Sequence, residues 1–132
     1  MPVDEYTFSR EQILEINYEL LSISPESNER NMGGTVRDIG MIDFLVDEIN
    51  EITDPYQKAA TALQKIATRH PFIQGNKRTA VAVASIILTI AGYDITASAE
   101  QLNSDVRRMI IDEYEREMVL LWLREHTAKI DD

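Results

Sequence analysis

The segment Arg69–Ala80, RHPFIQGNKRTA, separates two stretches of helical pattern. A residue before a proline avoids the α region, so the helix on its N-terminal side should end at His70. A second helix should begin around Arg78 or Thr79 and end before Gly92. Its apolar residues occupy nearly every side: Val81, Val83, Ile86, Ile87, Leu88 and Ile90. Such a helix lies at the centre of a protein, so the segment opens a buried central helix.

Besides the central helix, five helices, including the one that ends at His70, are predicted from capping residues and from apolar residues at helical spacing. Ser9 and Ser98 each begin a capping box, S-x-x-Q, ahead of an apolar face. Asp38 and Asp54 are N-caps, and a final helix contains Trp122. We therefore predict an all-α fold, a compact bundle of about six helices around a buried central helix. Residues 1–132 are expected to form a single domain.

Composition excludes several kinds of site. The chain has no cysteine, so disulfides, thiolate catalysis and cysteine-based metal sites are ruled out. Its two histidines, His70 and His126, do not have a zinc-binding spacing. The N-terminus lacks a secretory pattern, and the longest apolar run, Ala80–Ala91, is too short to span a bilayer. A cytoplasmic protein without a membrane partner is expected.

The formal net charge is −10, from 23 acidic and 13 basic residues. Such a surface repels nucleic acid unless a local basic patch overrides the field, so no direct nucleic-acid partner is expected. One basic cluster has no acid beside it in the sequence: Lys65, Arg69, Lys77 and Arg78. A single basic cluster on an acidic protein suits a small anion better than a duplex.

The residues Gly75-Asn76-Lys77-Arg78 are predicted to bind phosphate at the start of the central helix. The first N–H groups of a helix are free, and Gly75 permits the positive φ of an anion-binding turn. Lys77 and Arg78 place positive charge where the helix dipole disfavours it, which implies an anion between them. His70 can move protons near neutral pH, and Phe72 should be buried as an anchor. Singly, these residues are typical of a cap, a turn and a solvated surface; their order favours a functional loop.

The segment His70–Arg78, HPFIQGNKR, resembles the Fic/Doc family motif H-x-F-x-(D/E)-(G/A)-N-(G/K)-R. Lys77 replaces the glycine of most Fic proteins, and Val81 replaces a further arginine of adenylylating ones. Both replacements are similar to the Doc (death-on-curing) branch. The segment Gly33–Gly40, GGTVRDIG, resembles more weakly a glycine-rich stretch of Doc-like chains. Arg37 and Asp38 within it could support the active loop, although capping explains Asp38 more simply.

The resemblance implies an ATP-dependent transferase that acts on a protein hydroxyl. Doc-type proteins transfer the γ-phosphate to elongation factor Tu, whereas typical Fic enzymes transfer the adenylyl group. By resemblance, His70 is the general base, and Asn76 with the backbone of Gly75 to Lys77 holds the phosphates. Lys77 and Arg78 would neutralise the charge that develops during transfer.

The resemblance also implies a flap that pairs with the target, a short β-hairpin at Asn50, Glu51, Ile52 and Thr53. The β-branched residues Ile52 and Thr53 suit strand addition, although a plain connection between helices fits the sequence equally well.

Gln74 departs from the family motif, because it stands where the family has an acid that binds magnesium. An amide oxygen can coordinate Mg²⁺ but brings no charge, and hard cations favour carboxylates. ATP and Mg²⁺ are the expected cofactors, with metal binding through Gln74 weakened. A catalytically weakened binding module is the alternative that Gln74 permits.

The family's inhibitory pattern, (S/T)-x-x-x-E-(G/N), has no good copy in the chain. The pairs Ser22–Glu26 and Thr7–Glu11 have the spacing, but Ser27 and Gln12 follow them. The resemblance therefore implies restraint in trans, by an antitoxin protein.

Overall fold

The computed structural model describes residues 6–130, and most of these residues are helical. The helices in this range are α1 Arg10–Ser22, α2 Ser27–Arg30, α3 Ile39–Glu51, α4 Pro55–Arg69, α5 Asn76–Ile90, α6 Ala99–Ile111 and α7 Arg116–Glu125. Two short strands, β1 Tyr93–Ile95 and β2 Thr127–Lys129, pair antiparallel with Ile95 opposite Thr127. The predicted all-α fold is confirmed. No helix within residues 6–130 has the length and apolar character needed to cross a membrane.

The helix starts are determined by the predicted capping residues. Ser9 accepts a hydrogen bond from the backbone of Gln12, whose side chain accepts one from the backbone of Ser9, so this capping box is complete. Asp38 and Asp54 cap α3 and α4 with their carboxylates. Ser98 caps α6 through its hydroxyl, but the reciprocal bond of a capping box is not formed there.

The start of the central helix, helix α2 and the β1–β2 pair differ from the prediction. The central helix α5 begins at Asn76, two residues earlier than expected, because Gly75 at φ 80° acts as its N-cap. Helix α2 was not predicted, since a single turn is too short to show an apolar period. The β1–β2 pair was not predicted either, because its two strands come from distant parts of the chain.

Helix α5 lies in the hydrophobic core, as predicted. Its residues from Thr79 to Leu88 are buried or half-buried on every side. Helix α4 packs along it and presents mainly alanines, whose small side chains allow a close approach. Packing on all sides fixes the N-terminal end of α5 in space, and the functional loop precedes that end.

The expected β-hairpin at residues 50–53 is not formed. Asn50 and Glu51 are the last residues of α3, and the Asn50 amide is hydrogen-bonded to the backbone N–H and carbonyl of Phe8, at 2.8 and 2.7 Å. Thr53 lines a small cavity beside Ile90, at the C-terminal end of α5. A helix of 15 residues is about 22 Å long, so this segment lies at the opposite end of α5 from Gly75.

Candidate active site

The start of α5 has the geometry of an anion-binding site. Gly75 adopts a left-handed conformation, φ 80° and ψ 21°, and no side chain caps the helix. Within residues 6–130, the backbone N–H groups of Asn76, Lys77 and Arg78 have no hydrogen-bond acceptor. A Cβ atom at position 75 would lie 3.1 Å from the side-chain nitrogen of Asn17, so the site requires glycine. Free amides at a helix N-terminus favour a phosphate or another anion.

The Asn76 side chain supports the loop through both of its amide groups. Its oxygen accepts a hydrogen bond from the Phe72 N–H at 2.9 Å, and its nitrogen donates to the Phe72 carbonyl at 2.9 Å. This side chain therefore has a positioning role, and the contact with phosphate that the resemblance implies stays a prediction. Its backbone N–H remains free for an anion.

His70 and Phe72 lie on opposite sides of the loop. Phe72 is only 1% exposed and anchors the loop in the core, whereas the His70 side chain is exposed. Helix α4 ends at Arg69 with His70 as its C-cap, as the following proline predicts, but His70 is left-handed, at φ 53° and ψ 60°, and not extended. A non-glycine residue at positive φ is unfavourable by itself, so its surroundings must hold it.

Arg37 holds the backbone around His70. Its guanidinium donates to the carbonyls of Arg69 and His70, each at 2.6 Å, and its own N–H donates to the Pro71 carbonyl at 2.8 Å. Ile73 donates from its backbone to the carbonyl of Thr35 at 3.1 Å. The segment 35–38, and not 50–53, therefore runs beside the loop that carries His70.

Asn17 of α1 is a supporting residue that the sequence reasoning missed. It is fully buried and donates to the Gln74 carbonyl at 2.9 Å and to the Thr79 hydroxyl at 3.0 Å. Its oxygen accepts from the Gly34 N–H at 2.8 Å. One side chain thus joins the glycine-rich segment to the loop and to α5.

Two cavities meet at Lys77. The first, of about 370 Å³, is lined by five residues that were predicted as site residues, namely His70, Gln74, Gly75, Asn76 and Lys77. Arg107 of α6 and three isoleucines, Ile73, Ile110 and Ile111, complete the lining, and none of these four was predicted as a site residue. The second, of about 310 Å³, lies between α1, α5 and α6 and has a mostly apolar wall that includes Leu20, Val81 and Leu102. Lys77 lines both cavities, and Arg78 lines the second.

Arg78 forms an ion pair that was not expected. Its Nη2 lies 3.1 Å from Oε2 of Glu29, which belongs to α2. The Ser24 hydroxyl donates to the same carboxylate at 2.5 Å and, with Arg78, holds the pKa of Glu29 below its ordinary value. Glu29 does not fit the family's inhibitory pattern, because it follows Ser24 by five positions and not four.

The basic cluster is corrected by the structure. Lys65 donates to both carboxylate oxygens of Glu48, at 2.8 and 2.9 Å, and Arg78 is paired with Glu29. Of the four basic residues, only Lys77 lines the first cavity. The sequence showed no acid close in the chain, but packing brings acids from other helices.

Magnesium does not fit the donor set of this cavity. Gln74 occupies the position of the family's acid, and the side-chain oxygen of Asn76 is already bonded to Phe72. Among residues 6–130, no group of three or more His, Cys, Asp or Glu side chains could hold a metal ion. An amide oxygen alone is a poor partner for a hard dication. The positive charge in the cavity comes from the protein.

Comparison with known proteins identifies the class to which this loop belongs. The model of the Fic/DOC family matches residues 7–88, which include the whole of the segment from His70 to Arg78. The chain belongs to the Fic/DOC family.

Relatives from both branches are similar to the chain. It is 40% identical over 53 residues to the protein adenylyltransferase fic-1 of Caenorhabditis briggsae and 38% identical over 53 residues to that of Caenorhabditis elegans. It is 35% identical over 83 residues to the Toxin Doc of Mycolicibacterium smegmatis strain ATCC 700084 / mc(2)155. The matches cover 40% of this chain and 10% of each nematode protein, and 54% of this chain and 64% of the toxin.

Proposed function

We propose that the chain transfers the γ-phosphate of ATP to a hydroxyl group of a protein target. The observation that carries this proposal is that one cavity is lined by His70, by Lys77 and by the start of α5 with its free amides. A proton acceptor beside a phosphate-binding helix start is the minimum that phosphoryl transfer to a hydroxyl requires. Membership of the Fic/DOC family supports the same class of reaction.

The two adjoining cavities suit the two parts of a nucleotide. The apolar cavity, with Leu20, Val81 and Leu102 in its wall, suits a base. The cavity that contains His70 suits the phosphates, because Lys77 and the start of α5, with its free amides, line it. Because Lys77 lines both cavities, this proposal places a single molecule of ATP across the two.

The proposed transfer uses the exposed ring of His70 as the base. A ring nitrogen of His70 takes the proton of the target hydroxyl while the hydroxyl oxygen bonds to the γ-phosphorus. The bond from that phosphorus to the β–γ bridging oxygen breaks, and ADP leaves. The amides of residues 76–78 and the side chain of Lys77 stabilise the charge that develops. Arg78 joins them once it separates from Glu29.

The biological setting follows from the Doc-type reading. The match to a Doc toxin and the lysine at position 77 support a toxin of a toxin–antitoxin system. Within this proposal the target is an elongation factor Tu-like protein in the cytoplasm, and an antitoxin protein restrains the chain in trans. Phosphorylation of such a target would arrest translation.

Adenylyl transfer is the second candidate, and the similarity to two nematode adenylyltransferases favours it. In that reaction the hydroxyl oxygen bonds to the α-phosphorus and pyrophosphate leaves. Lys77 stands against it, because the family resemblance associates glycine at this position with adenylylation. A binding module that has lost catalysis is the third candidate, and Gln74 supports it.

The test is label transfer in a cell lysate. The purified chain is incubated with magnesium and with ATP labelled at either the α- or the γ-phosphate. We expect a labelled protein band from γ-labelled ATP alone, and its loss in His70→Ala. His126→Gln is the matched control, because His126 stacks on Trp122 outside the cavity, and it should retain the label. Label from α-labelled ATP would show nucleotidyl transfer, and no label from either would contradict transfer.

A further inference from the structure

Helix α6 delivers a cation to the phosphate cavity. Arg107 lines the same cavity as His70, Gln74 and Lys77, although it lies outside the motif and was not singled out in the sequence. Its side chain is exposed and makes no ion pair within residues 6–130. Asp112 and Arg107 both line a neighbouring shallow cavity, yet they form no ion pair. Arg107 is therefore available for an anionic ligand.

The charged side chains that line the cavity of His70 are all basic. Its lining contains Lys77 and Arg107, the titratable ring of His70, and no carboxylate. At the position of the family's acid stands the neutral amide of Gln74. An acid there would both attract a dication and compete for Arg107, so glutamine removes the metal ligand and leaves the guanidinium unpaired.

We propose that Arg107 binds the phosphates directly and that this site takes the polyphosphate of a nucleotide without a divalent cation. The inference deepens the proposed function, because it rests on ATP as the substrate. A guanidinium offers several donors in a fixed plane and can grip phosphate oxygens with two hydrogen bonds. Arg107, Lys77 and the amides of residues 76–78 together offset the negative charge of the phosphates. In a site that carries the family's acid, a bound metal ion does this.

The experiment measures binding, separately from turnover. The affinity of the full chain for the β,γ-imido analogue of ATP is determined by calorimetry, once with excess Mg²⁺ and once with EDTA. We expect the two dissociation constants to agree within about threefold, which corresponds to less than about 0.7 kcal/mol. Arg107→Gln should weaken binding in EDTA by about tenfold or more. Arg108→Gln, the neighbouring arginine outside this cavity, should bind like the parent chain.

A reciprocal variant tests the role of position 74. Gln74→Asp places a carboxylate in the cavity, so binding in EDTA should weaken and added Mg²⁺ should restore it. Binding of the parent chain only with Mg²⁺, an unchanged affinity in Arg107→Gln, or no binding in either buffer would overturn the inference. If label is transferred but Arg107→Gln does not change binding, the proposed function stands and the inference fails. If binding depends on Arg107 but no label is transferred, the proposed function fails and the inference stands.

Discussion

Asn17 has a larger effect on the loop than its place in the middle of α1 suggests. Its amide holds the Gln74 carbonyl, the Thr79 hydroxyl and the Gly34 N–H, and the residue itself is fully buried. Removing the Asn17 side chain leaves each of these three groups without its hydrogen-bond partner. The cost is about 1 to 3 kcal/mol per group, and the three costs do not add.

We expect Asn17→Ala to lower the free energy of unfolding by about 3 kcal/mol, as measured by urea denaturation. Asn28→Ala is the matched control, because Asn28 is exposed on α2 and its loss should change the value by less than about 0.5 kcal/mol. Equal stability of the two variants would show that the hydrogen bonds of Asn17 contribute nothing net.

At this scale the sequence predicts residues whose role is local and misses those whose role depends on distant contacts. The positive φ of Gly75 was predicted because it belongs to the turn itself, and the burial of Phe72 was predicted for a large apolar side chain within the loop. Asn17 acts on partners 57 and 62 positions away, and Arg107 reaches the cavity from another helix. Nothing next to either residue in the chain marks it.

Between elements, the contact of the 35–38 segment with the His70 loop is the one that bears on the proposed transfer. Arg37 fixes the carbonyls of Arg69 and His70, and so it stabilises the left-handed backbone from which the histidine side chain extends. Arg37 lines neither of the cavities that meet at Lys77, so its influence on transfer must come through His70.

Arg37→Ala should therefore slow transfer and leave nucleotide binding nearly unchanged. Small misplacements of a catalytic group can reduce rates by up to about 100-fold, and we expect a loss of at least about tenfold in the rate of label transfer. Affinity for the imido analogue should change by less than about threefold. Arg10→Ala removes an exposed arginine that pairs with Asp43 away from the site, and it should alter neither quantity. A parallel loss of binding would show that Arg37 supports the whole loop.

The ion pair between α2 and α5 should control how much of Arg78 is available to phosphate. In Glu29→Gln the carboxylate is gone, so Arg78 is released and the affinity for the imido analogue at neutral pH should rise about threefold or more. Glu26→Gln, an exposed acid just before α2, is the control and should leave the affinity unchanged.

The contribution of the Glu29 carboxylate to the stability of the folded chain has a defined pH dependence. The pKa of Glu29 lies below the usual 4.5, so the carboxylate stabilises the folded chain above that pH. The contribution is lost as the pH falls through the lower value of the folded state. The difference in stability between the parent chain and Glu29→Gln should therefore disappear in acid, as followed by urea denaturation at several pH values. A difference that persists there would exclude the ionised pair as its cause.

Helix positions were predictable because caps are local, whereas the flap was not. Ser9, Asp38, Asp54 and Ser98 each satisfy a backbone N–H within three residues of themselves. The segment 50–53 was assigned to the flap by resemblance, with its two β-branched residues as support, but Asn50 is hydrogen-bonded to Phe8 within the last turn of α3. Ile52 is extended, at φ −87° and ψ 124°, yet no strand within residues 6–130 pairs with it.

For the molecule as a whole, the net charge of −10 opposes folding through self-repulsion, whereas the cavity that contains His70 is lined by Lys77 and Arg107 and by no carboxylate. Raising the salt from about 0.01 to about 0.1 M shortens the Debye length from about 30 to about 10 Å. We expect the melting temperature to rise by about 2 to 4 °C and the affinity for the imido analogue to fall over the same range. Sodium and potassium chloride should act alike. A melting temperature that falls with salt would mean that attractive ion pairs dominate the surface.

The loop that carries His70 has almost no regular structure of its own, and its bonds to Asn17, Thr35 and Arg37 each close a long stretch of chain. Contacts of large sequence separation carry a high loop-closure entropy and form late in folding. Helices can therefore be present in a collapsed chain whose loop is still disordered, and such a chain would have no assembled base or anion site. A nascent or partly unfolded copy would be inert, and full activity would appear only with the last step of folding.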